Sequence, residues 1–64
     1  MYEEKVKRIQ VVIKSMNHDL NSVKRLFLQY GNVENQSVFC DLADAIRKVA
    51  LDRIQLITSH EELS

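Results

Sequence analysis

The chain is 64 residues long, 45% hydrophobic and 28% charged, and its nine basic and nine acidic residues cancel to a formal net charge of zero. That composition excludes a disordered chain and a membrane-like one, and the neutral total argues against strong non-specific attraction to nucleic acid or anionic lipid. One small core at this length supplies only a few kcal/mol of net stability, so a disulfide, a metal or a partner has to supplement it.

Cys40 is the only cysteine, which removes the disulfide. No CxxC, HxxxH or acidic loop is present, and His18, Cys40 and His60 are far apart in sequence, so neither a metal nor another cofactor is expected. Oligomerisation is left. A lone cysteine fits a reducing compartment, and the opening Met1-Tyr2-Glu3-Glu4-Lys5 lacks a basic segment followed by an apolar one, which points to the cytoplasm. The longest aliphatic run, Val11-Val12-Ile13, falls far short of the roughly 20 residues of a membrane span.

A first helix is predicted over about 2–30. Tyr2, Val6, Ile9, Ile13, Met16, Leu20, Val23, Phe27 and Tyr30 succeed one another at alternating spacings of four and three, a heptad seam with Val12 and Leu26 widening one side. Its opposite face gathers Lys7, Gln10, Lys14, Asn17, His18, Asn21, Lys24 and Arg25, interrupted by Leu28. A basic, amide-rich helical face can contact phosphates and base edges. Solvated bundle surfaces have the same composition, however, and no aromatic residue is interleaved for stacking on bases.

The single glycine, Gly31, in a chain without proline predicts the turn, over about 31–37. Gly31 suits a left-handed residue that closes a helix, and Lys24 and Arg25 lie towards that end, where cations complement the dipole. Asn32, Asn35 and Ser37 are three candidate N-caps for a second helix.

That second helix is predicted over about 38–58. Its apolar residues, Val38, Phe39, Leu42, Ala43, Ala45, Ile46, Val49, Ala50, Ile54, Leu56 and Ile57, occupy about half the circumference, more than one neighbouring helix covers. In an isolated hairpin either the Val38/Ala45/Leu56 edge or the Ala43/Ile54 edge stays wet. Arg53 projects into this stripe, either as a register-fixing charge held in the interface or as a long side chain that reaches out to solvent. Glu61 and Glu62 oppose the dipole of a helix C-terminus, so fraying is expected over 59–64. Glu3–Lys7, Glu4–Arg8, Asp44–Lys48 and Lys48–Asp52 have the spacing of supporting ion pairs.

Residues 1–30 carry six basic and three acidic side chains, a net of +3, and residues 31–64 carry the balancing −3, which favours antiparallel packing of the two halves. The fold expected over 1–64 is therefore all-α: a single domain, a two-helix antiparallel hairpin that dimerises into a four-helix bundle. The expected seam is Val6, Ile9, Ile13, Met16, Leu20, Val23, Phe27, Phe39, Leu42, Ile46, Val49 and Ile57. The layout, a 64-residue hairpin with Cys40 early in its second helix, is similar to that of the Rop family of plasmid RNA-binding proteins. Members of that family dimerise into four-helix bundles and read RNA loop pairs with the faces of their first helices. The likeness is one of architecture over the whole chain, rests on no residue motif and carries no site residue over.

Off the stripes lie Val11, Leu28, Cys40 and Leu51. Cys40 and Leu51, with Arg47 between them, form a candidate docking patch, although burial at the flank of a bundle is the expected fate of Cys40. Asp41 and Asp44 beside Cys40 disfavour a reactive thiolate. No glycine-rich phosphate loop, nucleophile elbow or inward carboxylate pair is visible, and Asp41, Asp44 and Asp52, interleaved with Lys48, read as solvated surface. The expectation is a non-enzymatic homodimer that regulates or adapts by binding another protein. The second reading is a dimeric RNA-binding regulator using Lys7, Gln10, Lys14, Asn21 and Arg25.

Overall fold

The structure, a computed structural model, describes the backbone of residues 2–63 and the side chains of residues 3–59. Two helices, α1 (Tyr2–Tyr30) and α2 (Gln36–Leu63), form an antiparallel hairpin, and no strand occurs among the described residues. The side chains of Tyr2, His60, Glu61 and Glu62, which entered the seam, metal and fraying arguments, lie outside the described ones.

α1 has the predicted limits. α2 begins two residues earlier than expected and continues past Ile57 to Leu63. Its early start has a local cause. The Asn32 N–H donates to Asn35 Oδ1 at 2.7 Å and the Asn35 N–H donates to Asn32 Oδ1 at 2.9 Å, the reciprocal pattern of a capping box. This pair shapes a helical turn over 33–35 that feeds into Gln36. The Asn35 carbonyl accepts the N–H groups of Val38 and Phe39, at 3.1 and 3.4 Å. Ser37, the third candidate cap, already lies inside the helix. The late end reflects the lack of any glycine or proline after Ile57; an unfavourable dipole term of a few tenths of a kcal/mol does not stop a helix that nothing else interrupts.

Gly31 is not left-handed: no residue of the described chain, glycine included, has positive φ. The glycine is needed for close approach instead. Its N–H donates to the Phe27 carbonyl at 2.7 Å, and a Cβ at this position would collide with the Phe27 ring and carbonyl. Lys24 and Arg25 fall outside the last turn of α1, too far from its end to complement the dipole appreciably. The Tyr30 carbonyl, one of the acceptors left over there, is satisfied by Asn35 Nδ2 at 3.1 Å.

The hairpin packs through Ile9, Val12, Met16, Val23 and Phe27 on α1 against Phe39, Ala43, Ile46, Ala50 and Ile57 on α2. Among the described residues only Val12, Val23 and Ala50 are buried. At the turn end Phe27 and Phe39 meet edge to face, ring centroids 5.4 Å apart and planes inclined at 70°. At the other end Lys5 Nζ donates to the Thr58 carbonyl at 3.4 Å.

The hairpin is a single layer. Its Cα trace measures 48 × 16 × 7 Å with a radius of gyration of 15.0 Å, against about 11 Å for a compact chain of this length. It exposes 5456 Å², whereas a globular monomer of its mass exposes roughly 4,200 Å².

Candidate functional site

A single layer of two helices has two broad faces and two outer edges. Helical periodicity and the grooves between the helices assign each side chain to one of them. Arg8, Val11, Val12, Arg53, Leu56 and Ile57 line one groove. Ser15, Asp19, Val49 and Arg53 line the crevice that continues it towards the turn. Leu26 lies two helical turns beyond Asp19, and Leu42 two turns before Val49, so both belong to this same face. Val38, in turn, lies one turn before Leu42.

The opposite broad face carries a second open groove near the turn, where Lys24 and Arg47 rise from the two helices around Leu20, Phe27, Phe39 and Ala43. Asn21, Gln36 and Cys40 complete its rim.

The seam predicted from sequence divides between core and surface. Val23 is buried, and Val6, Ile9, Met16, Leu20, Phe27, Phe39, Ile46 and Ile57 are half-buried. Ile13, Leu42 and Val49 lie outside the hairpin core, with Leu42 45% and Val49 57% exposed. The reason is rotational. α1 turns Val12 rather than Ile13 towards α2, and α2 turns in Ala43 and Ala50 rather than Leu42 and Val49. Small residues there let the helix axes approach. Of the two edges of α2 that could have stayed wet, the Val38/Ala45/Leu56 edge is exposed while Ala43 and Ile54 are half-buried.

Val38, Leu42, Ala45, Val49 and Leu56 are consequently a second heptad row on α2, about a quarter-turn round from the row that packs on α1. In the sequence the two rows merge into one wide stripe. Two registers of the same four-three spacing, displaced by one residue, are the signal that separates them.

Arg53 is exposed in the single hairpin and lines the groove of this face, between the α2 row and α1. Ile54, its neighbour in the chain, takes the half-buried position. Cys40 is exposed in the single hairpin, at the rim of the groove on the opposite face. Leu51 is exposed as well.

Lys7, Gln10, Lys14, Asn21 and Arg25 are all exposed, as are Asn17, His18 and Lys24; Asn21 and Lys24 turn from the outer edge towards the groove of the opposite face. Leu28 shares that outer edge and is 73% exposed. Of the expected ion pairs, Glu4–Arg8 forms at 3.5 Å. Asp44 pairs with Arg47 at 3.0 Å instead of with Lys48, the three-residue spacing giving the guanidinium its shorter reach. Both pairs are well exposed and contribute little to stability.

Among the described residues, no three His, Cys, Asp or Glu side chains are grouped so as to hold a metal ion. No helix there is long and apolar enough to cross a membrane. Compared with protein-family models, with curated proteins and with solved structures, the chain matches none of them.

Proposed function

We propose that the chain works as a cytoplasmic, non-enzymatic homodimer, a small regulatory or adaptor protein that acts by binding another protein along its outer helical edges. One observation carries this reading: the hairpin is one helix layer thick and leaves a row of large apolar side chains uncovered along α2. Stable domains consist of at least two packed layers around a core, and a second hairpin supplies the missing one. Packing layer on layer makes a four-helix bundle and leaves the outer edges of both helices free in each copy. Enzyme chemistry has little to build on, since the grooves are open and shallow and, among the described residues, no reactive group is held by a buried shell of partners.

Absolute mass by light scattering tests the first half of the proposal. Twice the chain mass of 7.5 kDa is expected; a stable monomer at micromolar concentration overturns it. Affinity capture from the native host tests the second half. A protein partner held by the wild type and lost on charge reversal along the outer edge of α1 supports the adaptor role, and recovery of the chain alone removes it.

A second reading, a dimeric RNA-binding regulator, draws on the exposed alignment of Lys7, Gln10, Lys14, Asn21 and Arg25 along α1, which a two-fold dimer presents twice. Binding of that kind weakens steeply as salt rises, because each neutralised phosphate releases counterions. No binding to structured RNA or duplex DNA at low salt eliminates it.

A further inference from the structure

We infer that the broad face carrying Val11, Leu26, Val38, Leu42, Val49 and Leu56 is where a second copy of this chain packs, about a two-fold axis running across the hairpin. Each helix then lies antiparallel on its own counterpart, α1 on α1 and α2 on α2. This rests on the homodimer reading above and adds to it the face and the direction.

Exposed area points to a large interface. The hairpin exposes 5456 Å², an excess of roughly 1,200 Å² over a globular monomer of its mass. Burying that excess on each partner falls within the range of obligate homodimers, which bury about 1,000–2,500 Å² a side. The apolar residues on this face concentrate that excess: Val38 is 62% and Leu56 70% exposed. The opposite broad face suits a second copy less well. Cations do not separate the two faces, since Arg8 and Arg53 flank the groove of this one as Lys24 and Arg47 flank the other; the α2 row of exposed apolar side chains, absent from the opposite face, does.

Both helices are, independently of area, palindromic on this face about the same level. On α1, Val11 and Leu26 are equidistant from the point between His18 and Asp19, and so are Ser15 and Ser22. On α2, Val38 and Leu56 are equidistant from Arg47, and so are Ala45 and Val49. The contact between Phe27 and Phe39 sets the register of the hairpin. Counted back from that contact, Asp19 lies level with Arg47.

A single axis at that level therefore serves both helices. It puts Val11 over Leu26 of the partner subunit, Ser15 over Ser22 of the partner subunit, and Val38 over Leu56 of the partner subunit. At both ends large apolar side chains meet large ones, and at the centre Ala45 meets Val49; the one unlike pair is Leu42 with Asp52 of the partner subunit. Asp52, the polar member of the α2 row, is exposed in the single hairpin.

The test uses two independent variants of the full chain. Val49→Glu should convert the dimer to a monomer, or weaken association at least a hundredfold, whereas Leu28→Glu on the outer edge should leave it dimeric. In a Cys40→Ser background, Ser15→Cys combined with Ser22→Cys should oxidise to a covalent dimer with high yield. These two positions lie about 10 Å apart along one helix, too far to bridge within a chain. A wild-type dimer that survives Val49→Glu and fails to cross-link overturns the face and direction while leaving the homodimer reading intact. A monomeric wild type overturns both.

Discussion

Asn32 and Asn35 each accept the other's backbone N–H through a side-chain oxygen, at 2.9 and 2.7 Å, and Asn35 also donates to the last carbonyl of α1. One pair of amides thereby starts α2 and closes α1. Asn32→Ala is expected to destabilise the fold by about 1 kcal/mol, the usual worth of an N-cap. Asn35→Ala should cost about 1–2 kcal/mol, since it also removes the bond to the Tyr30 carbonyl, which water only partly replaces. The double variant should fall short of the sum, because either single change already breaks the reciprocal pair. Urea denaturation monitored by circular dichroism measures all three, and full additivity would show that the two amides act independently.

Gly31→Ala is expected to destabilise by about 1–3 kcal/mol, in the range of overpacked sites. The cause is contact with Phe27 and not backbone strain, since φ at this position is not positive. Asn and Ala at position 31 separate these explanations. A left-handed cap would tolerate Asn far better than Ala, whereas crowding against Phe27 makes Asn at least as damaging.

Phe27→Ala removes the half-buried ring that meets Phe39 edge to face. The expected loss is about 2–3 kcal/mol, below the value for a fully buried Phe. Thermal melts should show it, and an unchanged midpoint would mean that the turn end is held by the asparagine pair alone.

For a dimer, the melting temperature must rise with protein concentration, because association stabilises the folded state by mass action. A melt series spanning a hundredfold in concentration checks this. A constant midpoint would count against the proposed second layer.

Arg53 is exposed and lines the groove of the apolar face. Replacing it with Leu should leave helix content unchanged and tighten self-association several-fold, since a charge no longer has to be desolvated or steered to the edge. Sedimentation equilibrium reads the change. Weaker association, or a shift to a larger assembly, would instead identify Arg53 as the charge that fixes the register.

Much of the fold is legible in the residues because it depends on local rules. The unbroken four-three spacing from Val6 to Phe27 dictates one long helix. Gly31 marks the only break, and the limits of α1 come directly from these two features. The end of α2 differs from expectation because a small dipole term at Glu61 and Glu62 does not outweigh the absence of any residue that stops a helix. The role of Gly31 differs for another reason: glycine serves both positive φ and close approach, and the identity of the residue does not say which.

Residue order alone is enough to specify two helices, their antiparallel return, and more apolar circumference on α2 than one neighbour covers. Which part of that circumference lies inside is settled by packing between the helices. Periodicity sets the angle between side chains along each helix, but nothing local sets how far the helix as a whole is rotated towards its neighbour. The close packing of Val12 beside Ala50 and of Val23 beside Ala43 sets that rotation. It turns Ile13, Leu42 and Val49 outward, leaves Arg53 in the groove beside the apolar row, and collects Val38, Leu42, Val49 and Leu56 into one uncovered row.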